Sequence, residues 1–225
     1  MIRWEIDGPY VVAFTTRHGG VSEGPYASLN LGRLTRDAQE NVEENRRRAC
    51  AAIGADEDVL ALNRQVHSAA VHRAHPGARG EPGDGLWTDE PGVPMLALTA
   101  DCLPIAVAHD GRLAVLHAGW RGLVEGVVEA GVAAIGGADA AVIGPAIGPC
   151  CYEVGVEVSE LFDPDLTRGG RLDLWTAAER RLRAAGAASV ERFDMCTACH
   201  ADLFFSHRRD AGVTGRQGVI GHVAR

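Results

Sequence analysis

The chain has 225 residues, 46% of them hydrophobic and 23% charged, a globular composition long enough for one substantial core. A formal net charge of -8 sets it against broad binding to nucleic acid or to an anionic membrane surface. With no run of 18 apolar residues and no signal-peptide block in MIRWEIDGPYVVAF, a cytoplasmic protein without a membrane span is expected.

Residues 11–14 read as a strand, followed by a polar glycine turn at 15–20 and a loop through Ser28 and Asn30 to Gly32. Thr35 or Asp37 can cap a helix over 38–53, with Val42, Ala49 and Ile53 on one face and Gly54 as its stop. Arg46, Arg47 and Arg48 fall on its solvated side. A second strand is expected at 59–62, leading into Asn63-Arg64-Gln65-Val66-His67. Residues 74–94 are rich in glycine and proline and read as a long surface loop around Asp84-Gly85-Leu86-Trp87-Thr88-Asp89.

The middle of the chain, 95–122, is the organising stretch. Apolar runs at 104–108 and 113–116 are joined across Asp110-Gly111, a strong hairpin signal because both residues tolerate positive φ. Apolar side chains at alternate and intervening positions predict a sheet covered on both faces. A helix is expected over 123–134, weakened by Gly126 and Gly131, and a strand at 140–143. A rigid Gly-Pro segment then runs to Cys150-Cys151-Tyr152. Helices follow at 156–162 and 176–185, a strand at 190–193, helical character at 201–205 and a last strand at 218–223. Strands and helices do not alternate regularly enough for repeated βαβ units. The expected class is therefore α/β (α+β), a single-domain sandwich of mixed β-sheets with flanking helices.

His67, Cys102 and His117 each sit at or just past the end of an apolar run. Two imidazoles and one thiolate make a borderline-soft three-ligand set for zinc, with a fourth position open to water or substrate. Separations of 35 and 15 residues suit a catalytic site assembled from distant elements. A Cys102 nucleophile with His67 or His117 as base is the other chemical reading. Asp101, beside the proposed ligand, is a candidate proton-moving carboxylate. Arg64 and Arg121 flank two of the proposed ligands and can hold phosphate; Ser28 and Asn30 are candidates for a sugar or base contact. The Cys196-x-x-Cys199-His200 run fits haem attachment only in an exported protein. As a metal half-site it has no second spaced pair to complete it, and adjacent Cys150-Cys151 reads as packing.

Seven motifs in order carry a resemblance over nearly the whole chain: TRHGGVS from Thr15, SLNLG from Ser28, QVH ending at His67, TADC ending at Cys102, HAGWRG from His117, IGPAIGPCCYEVG from Ile143 and FFSHRRDAGVTGR from Phe204. The chain resembles the family described as polyphenol oxidoreductase, laccase-domain or purine nucleoside phosphorylase proteins, which includes a bacterial peptidoglycan editing factor. The resemblance implies the cysteine-hydrolase-like fold of two mixed sheets with flanking helices. It implies a zinc ion held by His67, Cys102 and His117, phosphate-dependent cleavage of adenosine, inosine, guanosine and methylthioadenosine, and adenosine deamination. It also adds Glu153, by its motif, as a candidate carboxylate beside Asp101. Purine nucleosides and phosphate are the expected partners, with no obligate protein partner and a monomer as default. The family often has tyrosine where this chain has His207, and Cys199 is additional to its markers. Copper-dependent phenol oxidation and peptidoglycan-precursor amide hydrolysis are the alternatives. None of the nine histidines forms the His-x-His pair of a multicopper array.

Overall fold

A computed structural model describes residues 1–224. The chain opens with β1 (Ile2–Trp4) and β2 (Tyr10–Phe14), an antiparallel pair. Helix α1 (Gln39–Ala52) follows. Neither proposed cap fills its N-cap position, which Ala38 occupies without a side-chain bond; Asp37 instead accepts from the Ala38 N–H. Arg46 is not solvated as expected: it is buried, and its Nε donates to the Leu31 carbonyl at 2.9 Å, so its stem packs while its head ties α1 to the 28–32 loop.

The strand expected at 59–62 lies slightly later, as β3 (Leu62–Arg64), after a 3-10 turn at Glu57–Val59. The supposed long loop at 74–94 is another correction. After β4 (Val71–Arg73) it contains β5 (Arg79–Pro82) and β6 (Gly85–Thr88), and only its glycine and proline turns are loop. Sheet pairing overrides local composition here, because β6 is zipped antiparallel to a fully buried neighbour.

Then come β7 (Met95–Thr99), β8 (Leu103–His109) and β9 (Arg112–Ala118). The turn between β8 and β9 has φ of 44° at Asp110 and 74° at Gly111, both positive as a two-residue primed turn requires. The helix expected at 123–134 is two helices, α2 (Trp120–Glu125) and α3 (Val127–Ile135). Gly126 separates them at φ 93°, a left-handed geometry that ends the first helix. The rest of the chain adds β10 (Ala140–Ile143), α4 (Val156–Ser159), β11 (Thr167–Arg168), β12 (Arg171–Leu172), α5 (Leu174–Ala184), β13 (Ser189–Arg192) and β14 (Gln217–Val223). Residues 201–203 form a turn and 204–205 extend without regular structure, rather than the helical segment expected.

Six strands make one mixed sheet in the order β13-β10-β8-β9-β6-β4, and four make an antiparallel sheet ordered β1-β2-β14-β7. Side-chain alternation explains how they stack. Leu103, Ile105 and Val107 of β8, with Ala114 and Leu116 of β9, face α3 and α5. The intervening Ala106, Ala108, Leu113 and Val115 face Phe14, Met95 and Val219 of the other sheet. That second sheet turns Ala13, Leu96 and Ile220 toward Ala49 and Cys50 of α1. The order of layers is helices, six-stranded sheet, four-stranded sheet, helix. This is the mixed α/β sandwich expected, and it presents the ends of β8 and β9 at one rim.

Candidate metal centre

Antiparallel pairing puts Pro104 of β8 opposite His117 of β9. Cys102 lies two residues before Pro104, so the period of a strand returns it to the face His117 occupies. His67 arrives from the turn after β3. The three ligand atoms lie within 4.8 Å of one another, and the two imidazoles meet edge to face with ring centroids 4.9 Å apart. Gly119 lies against them: a Cβ there would stand 3.0 Å from Cys102 Sγ and 3.1 Å from His67 Cδ2. Glycine therefore leaves a cradle that any side chain would fill.

Asp84 organises this arrangement, and the sequence reading placed it in a surface loop. Its side chain is fully buried. One oxygen accepts from His117 Nδ1 at 2.8 Å and from the His67 N–H at 3.0 Å. The other accepts from the N–H groups of Val66 and Ser68 and from the Ser68 hydroxyl. Three successive backbone donors wrapped on one carboxylate fix the 66–68 turn and hold His67 at its φ of 63°, a region costly for a residue with a side chain. The bond from Nδ1 leaves His117 Nε2 as the nitrogen free to ligate. A buried carboxylate behind a ligating imidazole is the usual support of a metal-bound histidine. Gln65, the first residue of the QVH motif, exchanges two hydrogen bonds with the Leu98 backbone, anchoring the same turn to β7.

The electrostatics follow from this packing. Burial would raise the Asp84 carboxyl, but His117 and the backbone donors outweigh it and hold the group well below the carboxylate range. Burial also opposes ionisation of Cys102, yet the charge of His117 and hydrogen bonds from both histidines bring its thiol down to about 6. In return Cys102 and Asp84, against desolvation, raise His117 to about 9. A thiolate beside two imidazoles is a ready donor set, and the group could hold a metal ion.

The remaining site candidates separate into two classes. Arg121 is exposed, its guanidinium over the Trp120 ring at 4.3 Å, four residues beyond His117 across the junction from β9 to α2. Arg64 is exposed at the end of β3, three residues before His67. Asn30, by contrast, is fully buried, its amide donating to Thr35 and Asp37 and accepting from Gly32 and Arg216. No donor or acceptor remains there for a substrate, so the expected contact is corrected to a structural role. Ser28 is likewise spent: its hydroxyl donates to the Arg17 carbonyl and accepts from Gly20 N–H. Asp101 is turned by a φ of 89°, but both oxygens are engaged, one by the Thr197 hydroxyl at 2.6 Å and the other by Arg208 N–H at 2.7 Å. It holds neighbours in place rather than standing free as a proton acceptor. Glu153 is exposed and paired with Arg171.

Sequence reasoning missed Asp84, Tyr152, Arg208 and Arg216 as parts of this region. Arg208 lies over the Tyr152 ring at 5.2 Å. Tyr152 is pushed up to about 12, by burial first and then by the charge on Cys102, against the pull of Arg208 and Arg121. Burial lowers Arg216, while the charges of Cys102 and Asp101 oppose the change. Arg216 is thus within electrostatic reach of Cys102, and Arg208 and Arg121 are within reach of Tyr152. For Asp84 the available signal was a lone aspartate boxed by glycines before an apolar strand; the arginines gave none beyond their motif. His207 is exposed on the turn beyond Phe205. A further correction concerns the cysteines: Cys150, Cys151, Cys196 and Cys199 bring their sulfurs within 4.8 Å of one another, so the CxxC pair does have a complement.

Among the described residues, no helix is long and apolar enough to cross a membrane, and neither metal-binding group is a histidine-rich multicopper array. Residues 11–222 match the family model described as multi-copper polyphenol oxidoreductase laccase. The chain is 38% identical to the protein named purine nucleoside phosphorylase YlmD of Geobacillus stearothermophilus, over 92% of this chain and 87% of the relative. It is 41% identical to one named purine nucleoside phosphorylase from Deinococcus radiodurans, over 92% and 87%. The crystal structure of Neisseria meningitidis protein NMB0706 superposes with a TM-score of 0.89 at 32% identity, covering 100% of this chain and 99% of that one. With a family model matching nearly its whole length and relatives of this identity and coverage, the chain belongs to the multi-copper polyphenol oxidoreductase laccase family.

Proposed function

We propose that this protein is a zinc-dependent purine nucleoside phosphorylase, cleaving adenosine, inosine, guanosine and methylthioadenosine with phosphate, and that it also deaminates adenosine. One observation carries the reading: a thiol and two imidazoles, backed by the buried Asp84, converge on one point, with Arg216 within electrostatic reach of the thiol. The names of the relatives support the same reaction class. Six free cysteines suit the reducing cytoplasm in which nucleosides are salvaged, and a monomer is the working assembly.

In phosphorolysis a phosphate oxygen forms a bond to the anomeric carbon as the glycosidic bond breaks, and its electron pair leaves with the purine nitrogen. Zinc, held by His67, Cys102 and His117, supplies a Lewis-acidic open position when bound. The chain's own groups do the rest. Arg121, with Arg64 as a second candidate, holds phosphate through its planar donor fork. Asp84 keeps the His117 ring oriented and its Nδ1 protonated. Asp101 acts as a positioning residue: it fixes Thr197 and the Arg208 backbone, which keeps the Tyr152–Arg208 stack beside Cys102. Deamination needs the same cleft with the purine carbon turned toward the ligand group, and water in place of phosphate.

The test is release of free purine from adenosine, with and without phosphate, by the wild type and by His67→Ala, Cys102→Ala and His117→Ala. Phosphate-dependent release, lost in all three variants, is the expected result. Phosphate-independent base release overturns phosphorolysis in favour of hydrolysis, and ammonia without base leaves deamination alone. Phenol oxidation with bound copper, or amide cleavage of a peptidoglycan precursor, overturns the reading altogether.

A further inference from the structure

Five of the six cysteines lie outside the site just described, and the fold gathers four of them. Cys150 and Cys151 end the turn after Gly148-Pro149; Cys196 and Cys199 stand at the two ends of the tight turn that follows β13. The segments are already paired through the backbone, by a parallel bridge between Ala146 and Cys196 and by Thr197 N–H to the Ala146 carbonyl at 3.1 Å. All four sulfurs lie within 4.8 Å of one another. Cys199 Sγ is 3.4 Å from Cys151 Sγ and 3.6 Å from Cys150 Sγ. A disulfide requires about 2.05 Å, whereas a regular tetrahedron of sulfurs around zinc, with bonds of about 2.3 Å, has edges of about 3.8 Å. Both spacings are far too long for a disulfide and lie within a few tenths of an ångström of the tetrahedral edge.

From this geometry we infer that Cys150, Cys151, Cys196 and Cys199 form a second metal site, a tetrathiolate that binds one zinc ion. Each thiol gives up its proton as the ion enters, and the four thiolates close the coordination sphere, leaving no position for substrate. The surroundings suit that charge. Gly148 N–H donates to Cys196 Sγ at 3.3 Å, and Arg209 reaches the same turn, donating to the Thr197 carbonyl at 2.9 Å; donors behind ligands are what a metal-thiolate site needs. Half of the site has the CxxC spacing of structural zinc motifs. The adjacent pair completes it from a distant segment.

The position gives the site a task. Tyr152 follows Cys151, and its ring packs under Arg208. Thr197 follows Cys196, and its hydroxyl donates to Asp101, the neighbour of Cys102. A zinc clip here pins two segments, each one residue away from a group that borders the first ligand set. It acts as a structural clamp on that rim and takes no part in the chemistry.

The inference stands apart from the reading of the first site, and the test keeps the two separate. The variant combining His67→Ala, Cys102→Ala and His117→Ala, prepared anaerobically with zinc, is expected to retain one zinc per chain, with X-ray absorption showing only sulfur neighbours at about 2.3 Å. Adding Cys199→Ser should remove that ion. In the otherwise wild-type chain, Cys199→Ser should lower the zinc count by one without emptying the other site. If the triple variant does not fold, cadmium-loaded wild-type protein gives the same decision. A cadmium-113 resonance of tetrathiolate type, lost in Cys199→Ser, is expected. Zinc with nitrogen or oxygen neighbours, no cadmium resonance of that type, or a disulfide from Cys199 to Cys150 or Cys151 in anaerobically prepared protein overturns the inference.

Discussion

The two ligand groups of this chain are built on opposite principles. His67, Cys102 and His117 sit at strand ends against a fully buried carboxylate, with a glycine cleared beside them. The four cysteines sit on turns, two of them exposed, with no carboxylate or imidazole in the group. With only three protein donors the first group, if it holds a metal, leaves a coordination position for an exchangeable ligand. The second saturates a metal with its own sulfurs. A closed set stabilises a fold and an open set does chemistry, and each prediction below presses on that division.

The largest effect belongs to the open set. Cys102→Ala is expected to lower kcat/KM for phosphorolysis by at least about a thousandfold, about 4 kcal/mol of barrier, measured by phosphate-dependent release of adenine. The four-cysteine site should keep its zinc in this variant. Equal loss of both metals would mean that the groups do not act independently.

Asp84 comes next, because it distinguishes a supported ligand from a merely adjacent one. Asp84→Asn should weaken metal binding at the first site by about 10- to 100-fold, read by competition with a chelator, and leave the cysteine site unchanged. Its acid profile carries a sign. The folded carboxyl lies below its unfolded value of about 3.9, so Asp84 contributes stability above that pH and loses it as pH falls through the lower folded value. Wild-type protein should lose stability toward acid faster than Asp84→Asn, in urea melts run between pH 5 and 2. The metal-free protein offers a second pH reading. Alkylation of Cys102 should rise through a midpoint near pH 6, against about 8.5 for an ordinary thiol, and His117→Ala should move that midpoint upward.

How much of this division was legible in the sequence depends on distance along the chain. The β8–β9 hairpin was readable because Asp110-Gly111 encodes its own turn, and alternation showed the sheet covered on both faces. His67, Cys102 and His117 were nameable because strand ends and ligand chemistry are both local properties. Asp84 was hidden because its burial comes from β6 pairing with β9, an event no window around residues 83–85 contains. Arg46 was misplaced because its helical face is polar by composition, while its burial comes from the 28–32 loop folding over it. The cysteine cluster escaped because its halves lie 45 residues apart, and adjacent cysteines carry no spacing signature. Asn30 and Ser28 were read as substrate contacts from residue type alone, and the fold uses both internally.

The arginines give a smaller, more specific effect. Arg121→Ala is expected to raise KM for phosphate by about tenfold, with little change in KM for the nucleoside, because a guanidinium fork at an exposed position contributes about 1.5 to 3 kcal/mol to a charged partner. Arg64→Ala tests the second candidate in the same assay. A rise in nucleoside KM instead would move these groups from phosphate to the purine or sugar.

The smallest effect on catalysis should come from Asn30→Ala, and there the division becomes sharpest. Asn30 is wholly buried and joins the 28–37 loop to Arg216 through hydrogen bonds of 2.8 to 3.0 Å. Truncation strands the Gly32 and Arg216 N–H groups, each costing about 1–3 kcal/mol where water cannot replace the lost partner. A loss of stability of about 2–4 kcal/mol in denaturant melts is expected, with phosphate and nucleoside KM unchanged at a temperature where the variant is folded. Asn30→Asp should restore little, because a carboxylate accepts from Gly32 and Arg216 but cannot donate to Asp37 and meets its charge instead. A variant that melts like wild type but loses nucleoside affinity would return Asn30 to the substrate, and the 28–32 loop would then belong to the open site.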